Sequence, residues 1–256
     1  MRSVIFIHGM FQNAKSWDNW VYFFSQRGYR CIAPSWPLHE GDPVDLKENP
    51  PEGLGDLTLE DVLIEFEAIA RTLDKPVIIG HSVGGLIVQL LLSRGLAGIG
   101  VAIDAVAPNA MLDFDWEYLK NATLIMNPLK GNEPVYMTAE LFHDAFANTL
   151  TMGDAEEAYL NYATHDSRNV LRNCMGEAGK IDMHLPHPPL LLIAGEKDHI
   201  IPVALTEKNF KAYTDQHSVI AMKEFANRSH FICGEPEWEE VADYVYNWIE
   251  EQEETA

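Results

Sequence analysis

Cationic side chains are scarce in this chain. Eighteen Lys and Arg stand against 39 Asp and Glu in 256 residues, a formal charge of −21. Nucleic acid is therefore disfavoured as a partner, because little is available to neutralise phosphates and release counterions. The same deficit argues against an anionic membrane surface. Long apolar runs are missing too: Leu90 to Leu92 and Leu190 to Ala194 are far too short to span a bilayer. Cysteine is limited to Cys31, Cys174 and Cys233, an odd number without metal-like spacing, so a disulfide framework is not expected. Only Val4 to Ile7 is apolar before His8 and Gly9, too little for a signal peptide. The expected compartment is the reducing cytoplasm. Apolar residues are not lacking. They make up 47% of the chain and aromatics 10%, which excludes disorder and supports a substantial core. The acidity then reads as a solvated, self-repelling surface, on a monomer or a homodimer.

Short β-rich runs alternate with helical patterns, the signature of an α/β fold with a mainly parallel sheet. Strands are predicted at Ser3 to Ile7, Tyr29 to Ala33, Pro76 to Gly80, Ile99 to Val106, Leu190 to Ala194 and Ser218 to Phe225. Helices are predicted at Ala14 to Gln26, from Thr58 onward with Asp61 completing a capping box, at Leu86 to Ser93 and near Val203 to Tyr213. A final helix has Trp238, Val241, Val245 and Trp248 on one face. Leu38 to Gly55, rich in Pro, Gly and charge, reads as a loop, and Glu250 to Ala256 as a solvated tail. Between Pro108 and His187 the βα rhythm stops. Helical pieces at Met111 to Lys120, Thr138 to Thr149 and Ala155 to Ala163 suggest an inserted unit, which divides the chain into a core (1–107 and 188–256) and a helical insertion (108–187).

The sharpest chemical signal is Gly80-His81-Ser82-Val83-Gly84, a G-x-S-x-G sequence between a predicted strand and a helix. Small residues flank the serine because a nucleophile elbow is strained and packs against neighbouring backbone. The turn lifts Oγ to the carboxyl edge of the sheet, and the next helix aims its free N–H groups at a developing oxyanion.

On this motif and its context the chain resembles the α/β-hydrolase superfamily along essentially its whole length, in the branch of serine esterases, hydroxynitrile lyases and perhydrolases with a helical cap. The resemblance implies the chain order serine, acid, histidine. Ala194-Gly195-Glu196-Lys197-Asp198 stands in the acid's place and Asn227-Arg228-Ser229-His230-Phe231 in the histidine's, so Ser82, Asp198 and His230 match the triad. Glu196 and Asp104 are rival acids; Asp104 ends an apolar strand and suits a hydrogen-bonded structural role. His8-Gly9-Met10 matches the family's H-G-x motif, which makes the N–H groups of Met10 and Val83 the oxyanion hole. His8 and His81 read as supports. The family's usual N-terminal β-hairpin is missing, so about six strands, all parallel, are expected.

The insertion resembles the family's cap, and Phe11, Trp116, Met126, Phe142 and Phe146 are candidates for an apolar pocket, with Trp17 below it. Met137 and Tyr159 read as cap packing. Asp182, His184 and His187 lack the spacing of a metal site, and no metal or cofactor is expected. Ser82 in place of an elbow Asp argues against dehalogenase and epoxide-hydrolase chemistry, and Phe231 in place of a lysine disfavours cyanide chemistry. The expected activity is cleavage of a small to medium, largely apolar carboxylic ester or lactone. The same triad also supports thioesterase, amidase, C–C hydrolase or perhydrolase activity, and the fold can serve as a slow-turnover ligand receptor.

Overall fold

The computed structural model describes residues 2–113 and 115–254, without the side chains of Trp116 and Leu119. Six parallel strands form one sheet: β1 (Ser3–Ile7), β2 (Arg30–Ile32), β3 (Val77–His81), β4 (Ile99–Ile103), β5 (Leu190–Gly195) and β6 (Ile220–Phe225), in the order β2-β1-β3-β4-β5-β6. Helices connect them: α1 (Asp18–Ser25), α2 (Pro43–Glu48), α3 (Leu59–Arg71), α4 (Val83–Ser93), α5 (Trp116–Met126), α6 (Ala139–Leu141), α7 (Met152–Tyr162), α8 (Arg168–Cys174), α9 (Val203–Ala212) and α10 (Trp238–Glu254).

The strands at the centre are apolar throughout because both faces are covered. Side chains alternate between the faces. Val4, Phe6, Ile79 and Val101 pack against α1 and α10, whereas Ile5, Ile7, Ile78 and Ala102 pack against α3 and α4. The edges are blunted by sequence. β2 is three residues long and opens on Arg30, and β6 carries Lys223 and Glu224. Trp17, a candidate for the pocket, belongs instead to the α1/α10 layer, against Phe6 and Trp20 at ring distances of 5.2 and 5.4 Å.

Three other expectations need correction. The Leu38 to Gly55 stretch contains α2, because Pro43 occupies the first helical turn and Asp42 caps it by accepting from the Val44 N–H. The predicted Thr138 to Thr149 helix is α6 running into a π-helical turn, Phe142–Phe146. The acidic end is not a free tail: α10 continues to Glu254, and Glu250 accepts from the Tyr29 hydroxyl at 2.8 Å and pairs with Arg2. The capping box of α3 forms as predicted, Thr58 and Asp61 each accepting from the other's backbone N–H.

From β1 the chain goes outward to β2, then returns to β3 on the other side of β1. This reversal opens a crevice at the carboxyl ends of β1 and β3, the place where open α/β sheets bind ligands. Both His8-Gly9-Met10 and Ser82 follow directly from those strand ends. Helices α5 to α8 lie between β4 and β5 in the chain, and their residues pack with the β1 and β3 loops in one core. Among the described residues no helix is long and apolar enough to cross a membrane, and the three cysteines are free thiols.

Candidate active site

Ser82 stands between β3 and α4 with φ 56° and ψ −119°, a conformation that costs a non-glycine residue about 1–3 kcal/mol. Surrounding bonds hold it there. Its N–H donates to the Ile103 carbonyl at 2.9 Å, and its carbonyl accepts from Gly85 at 3.0 Å and Val106 at 3.1 Å. The turn needs its glycines because backbone meets backbone: a Cβ on Gly84 would lie 2.2 Å from the Ile7 carbonyl oxygen, and one on Gly9 2.6 Å from the Ser82 Cβ. Gly84→Ala should therefore push α4 away from β1 and lower unfolding free energy by about 3 kcal/mol, as overpacking of a closed site does. Urea titration measures this, and an unchanged midpoint would contradict it.

His230 follows β6 and is fully buried. Its Nδ1 lies 2.6 Å from Asp198 Oδ2, so the proton sits on Nδ1, and Nε2 bears the lone pair. That Nε2 is buried and has no hydrogen-bond partner among the described residues. Asp198 is fixed by two further bonds to Oδ1, from Ile200 N–H at 2.6 Å and Ile201 N–H at 2.8 Å. Among the described residues neither rival acid hydrogen-bonds to His230. Glu196 accepts from Asn227 N–H at 2.9 Å and pairs with Lys197. Asp104 accepts from Gly195 N–H at 2.7 Å, and its other oxygen is buried with no hydrogen-bond partner among the described residues. Burial first, then the charge of Asp198, pushes the Asp104 carboxyl well above the usual carboxylate range. That shift favours its neutral form and suits a supporting role beside Asp198.

The two histidines beside the strand ends are structural. His81 Nε2 donates to the His230 carbonyl at 2.8 Å, and burial followed by the neighbouring His230 drives its pKa well below that of ordinary imidazole. His8 Nδ1 donates to the Gly9 carbonyl at 2.8 Å, Nε2 accepts from Trp36 N–H at 2.9 Å, and the ring stacks on Trp36. Burial and then the nearby His39 lower the His8 pKa to about 3. Below its usual value of 6.5 the unfolded chain takes up a proton at this position that the folded chain refuses until about 3. The stability from neutral His8 is thus full above that usual value and lost as pH falls. Relative to a His8→Gln variant, wild-type unfolding free energy should drop by roughly 2 kcal/mol between pH 7.5 and 5. A constant difference between the two proteins over that range would contradict it.

Above Ser82 lies an apolar pocket with about 580 Å³ of space, its open mouth included. Met10, Phe11, Val83, Met126 and Phe146 line it together with Ser82. Phe142 does not. It is fully buried behind Phe146, the rings stacked 5.6 Å apart at 6°, and it also meets Phe231. The two rings lie on one face, one behind the other, and only Phe146 reaches the space above Ser82. Trp116 as a pocket residue lies outside the described side chains. The sequence reading missed Tyr118, Ile125, Met175, Ile201 and Leu205, which also line the pocket. Apolar residues at helical spacing carry no signal separating pocket wall from core.

It also missed two buried acids. Glu235 accepts from the Ser229 hydroxyl at 3.0 Å and the Thr149 hydroxyl at 2.6 Å, tying the His230 loop to the segment after the π-helical turn. Asp166 accepts from the Phe11 N–H at 2.8 Å. Neither has a local sequence pattern. Among the described residues, the possible metal-ligating atoms that come together belong to His81, Asp104 and His230, not to 182–187.

Residues 4–244 match the model of the alpha/beta hydrolase family, and the chain belongs to that family. A search of curated proteins finds no match. Among solved structures, a monoacylglycerol lipase of Paleococcus ferrophilus superposes with a TM-score of 0.71 at 20% identity, over 98% of this chain and 94% of that one. Tomato methylketone synthase I gives 0.73 at 11% identity over 98% of both chains. An extracellular alpha/beta-hydrolase from a Paenibacillus species gives 0.70 at 18% identity, over 96% and 98%. At such identities the likeness concerns the fold.

Proposed function

We propose that this alpha/beta hydrolase is a serine hydrolase that cleaves a small to medium, largely apolar carboxylic ester or lactone in the cytoplasm, with 108–187 as a cap over the site. The observation that carries the reading is the pairing of a strained elbow serine under an apolar pocket with a buried His230 whose Nδ1 is bonded to Asp198 at 2.6 Å.

A serine hydroxyl is a weak nucleophile until a base takes its proton. His230 Nε2, the open nitrogen, takes that proton as Oγ attacks the carbonyl carbon, and Asp198 stabilises the imidazolium formed. The carbonyl oxygen becomes an anion and is met by the N–H groups of Met10 and Val83, the second at the start of α4 where N–H groups lack intrahelical partners. His230 then returns the proton to the leaving alcohol, and an acyl group remains on Ser82. Water, deprotonated by His230, attacks the acyl carbon and releases the acid. Every group required is a side chain or backbone amide of this chain.

Hydrolysis of chromogenic esters from two-carbon to long acyl chains tests the reading and sizes the pocket. Short to medium esters should be preferred, because the walls of the pocket are aromatic and aliphatic and its space is modest. Inertness towards every ester and lactone would overturn it.

A further inference from the structure

Phe11 follows the proposed oxyanion donor Met10 and has φ 63°, in the left-handed region that a residue with a Cβ occupies at a cost of about 1 kcal/mol or more. Its backbone is gripped from outside its own loop. The Phe11 N–H donates to Asp166 Oδ2 at 2.8 Å, and the Phe11 carbonyl accepts from the Thr164 N–H at 2.9 Å. The Thr164 hydroxyl also donates to the Gln12 carbonyl at 3.3 Å. These partners lie between α7 and α8.

Asp166 is itself anchored. It is fully buried, and Oδ1 accepts from the Ser167 N–H at 2.7 Å. Its backbone exchanges bonds with Val135 at 2.8 and 3.1 Å. His39 Nε2 stands 3.4 Å from Oδ2, while His39 Nδ1 donates to the Pro37 carbonyl at 3.0 Å. Burial works against a charge on His39, but the Asp166 carboxylate and these bonds outweigh it and raise its pKa. A fully buried carboxylate is a costly acceptor for one backbone N–H. Its two oxygens let it hold Phe11 and Ser167 together, with the His39 ring alongside.

We propose that Asp166 is a positioning residue for the oxyanion hole, fixing the peptide after Met10 through the Phe11 N–H and making the hole depend on the docked 164–166 segment. This rests on the serine-hydrolase reading. The plane of the Met10–Phe11 peptide is set by its N–H bond, and the two ends of Phe11 are held together by one segment. The Met10 N–H, one peptide earlier, then has a fixed aim. An Asn at 166 would keep the shape but set an NH2 against one of the two N–H donors.

The test compares wild type, Asp166→Asn and Asp166→Ala in binding two probes by calorimetry. One is an alkylboronic acid, whose boron accepts the Ser82 oxygen to give a tetrahedral anion while the serine proton passes to His230. The other is the neutral alcohol of the same chain length, which fills the pocket without placing an anion in the hole. Asp166→Asn should weaken boronate binding by about tenfold or more, in line with the sensitivity of oxyanion holes, and change alcohol binding by less than about twofold. Asp166→Ala should do so more strongly; if it fails to fold, the isosteric Asn variant carries the test. Equal weakening of both probes would mean a merely structural role and overturn the proposal, as would no change in either. A wild type that binds the alcohol but not the boronate would overturn the serine reading, and this proposal with it.

Discussion

Ser82→Ala should lower kcat on the preferred ester by about 10,000-fold or more, leaving only what the oxyanion hole and substrate binding contribute. The size follows from the chemistry. Without Oγ no acyl intermediate forms, and water has no position prepared for it at the carbonyl. KM should change little, since the pocket wall is made by Phe11, Met126, Phe146 and their neighbours rather than by the serine hydroxyl. Residual kcat within tenfold of wild type would show that another group attacks. Thermal stability should hold or rise, because an alanine at 82 keeps the strained φ but no longer supports a function-specific hydroxyl in an apolar pocket.

Asp198→Asn should lower kcat by about 10,000-fold, because an amide facing Nδ1 favours the tautomer with the proton on Nε2, which cannot accept from serine. The paired control is Asp104→Asn. Burial and the Asp198 charge push the Asp104 pKa upward, which favours its neutral form. An amide there keeps a neutral group whose oxygen accepts from Gly195 N–H. Its kcat should stay within about tenfold of wild type, as for a neutral isosteric exchange of one hydrogen-bonding group. If instead Asp104→Asn were the inactive variant and Asp198→Asn the active one, the acid would have been assigned to the wrong strand end. Steady-state kinetics of both variants at one pH decides it.

The parts of this site that were legible in the sequence are those coded by local chemistry. The elbow is readable because Gly80 and Gly84 must be small for a serine to turn between β3 and α4. Asp198 and His230 were legible only through their chain order, since each alone is an ordinary loop residue. The sheet was legible because buried parallel strands are continuous apolar runs, and five of the six begin or end within two residues of expectation at their carboxyl ends. The fourth differs more: it stops at Ile103, where Asp104 turns with φ 42°. What sequence could not show depends on contacts between distant segments. Asp166 meets Phe11 across 155 positions, and nothing near either residue announces the pair. Phe142 and Phe146, four apart, share a face and stack, and only the tertiary packing puts Phe146 in the pocket wall and Phe142 in the layer behind it. The Leu38 to Gly55 stretch reads as a loop because a proline in a first helical turn, such as Pro43, is indistinguishable by composition from one in a loop.

The most direct test of the central claim is covalent labelling with an alkyl fluorophosphonate, read by mass spectrometry of the intact chain and its peptides. One adduct per chain is expected, located on Ser82, with labelling abolished in Ser82→Ala and slowed severely in His230→Ala. An unlabelled wild type, or an adduct on another residue that persists in Ser82→Ala, would contradict it.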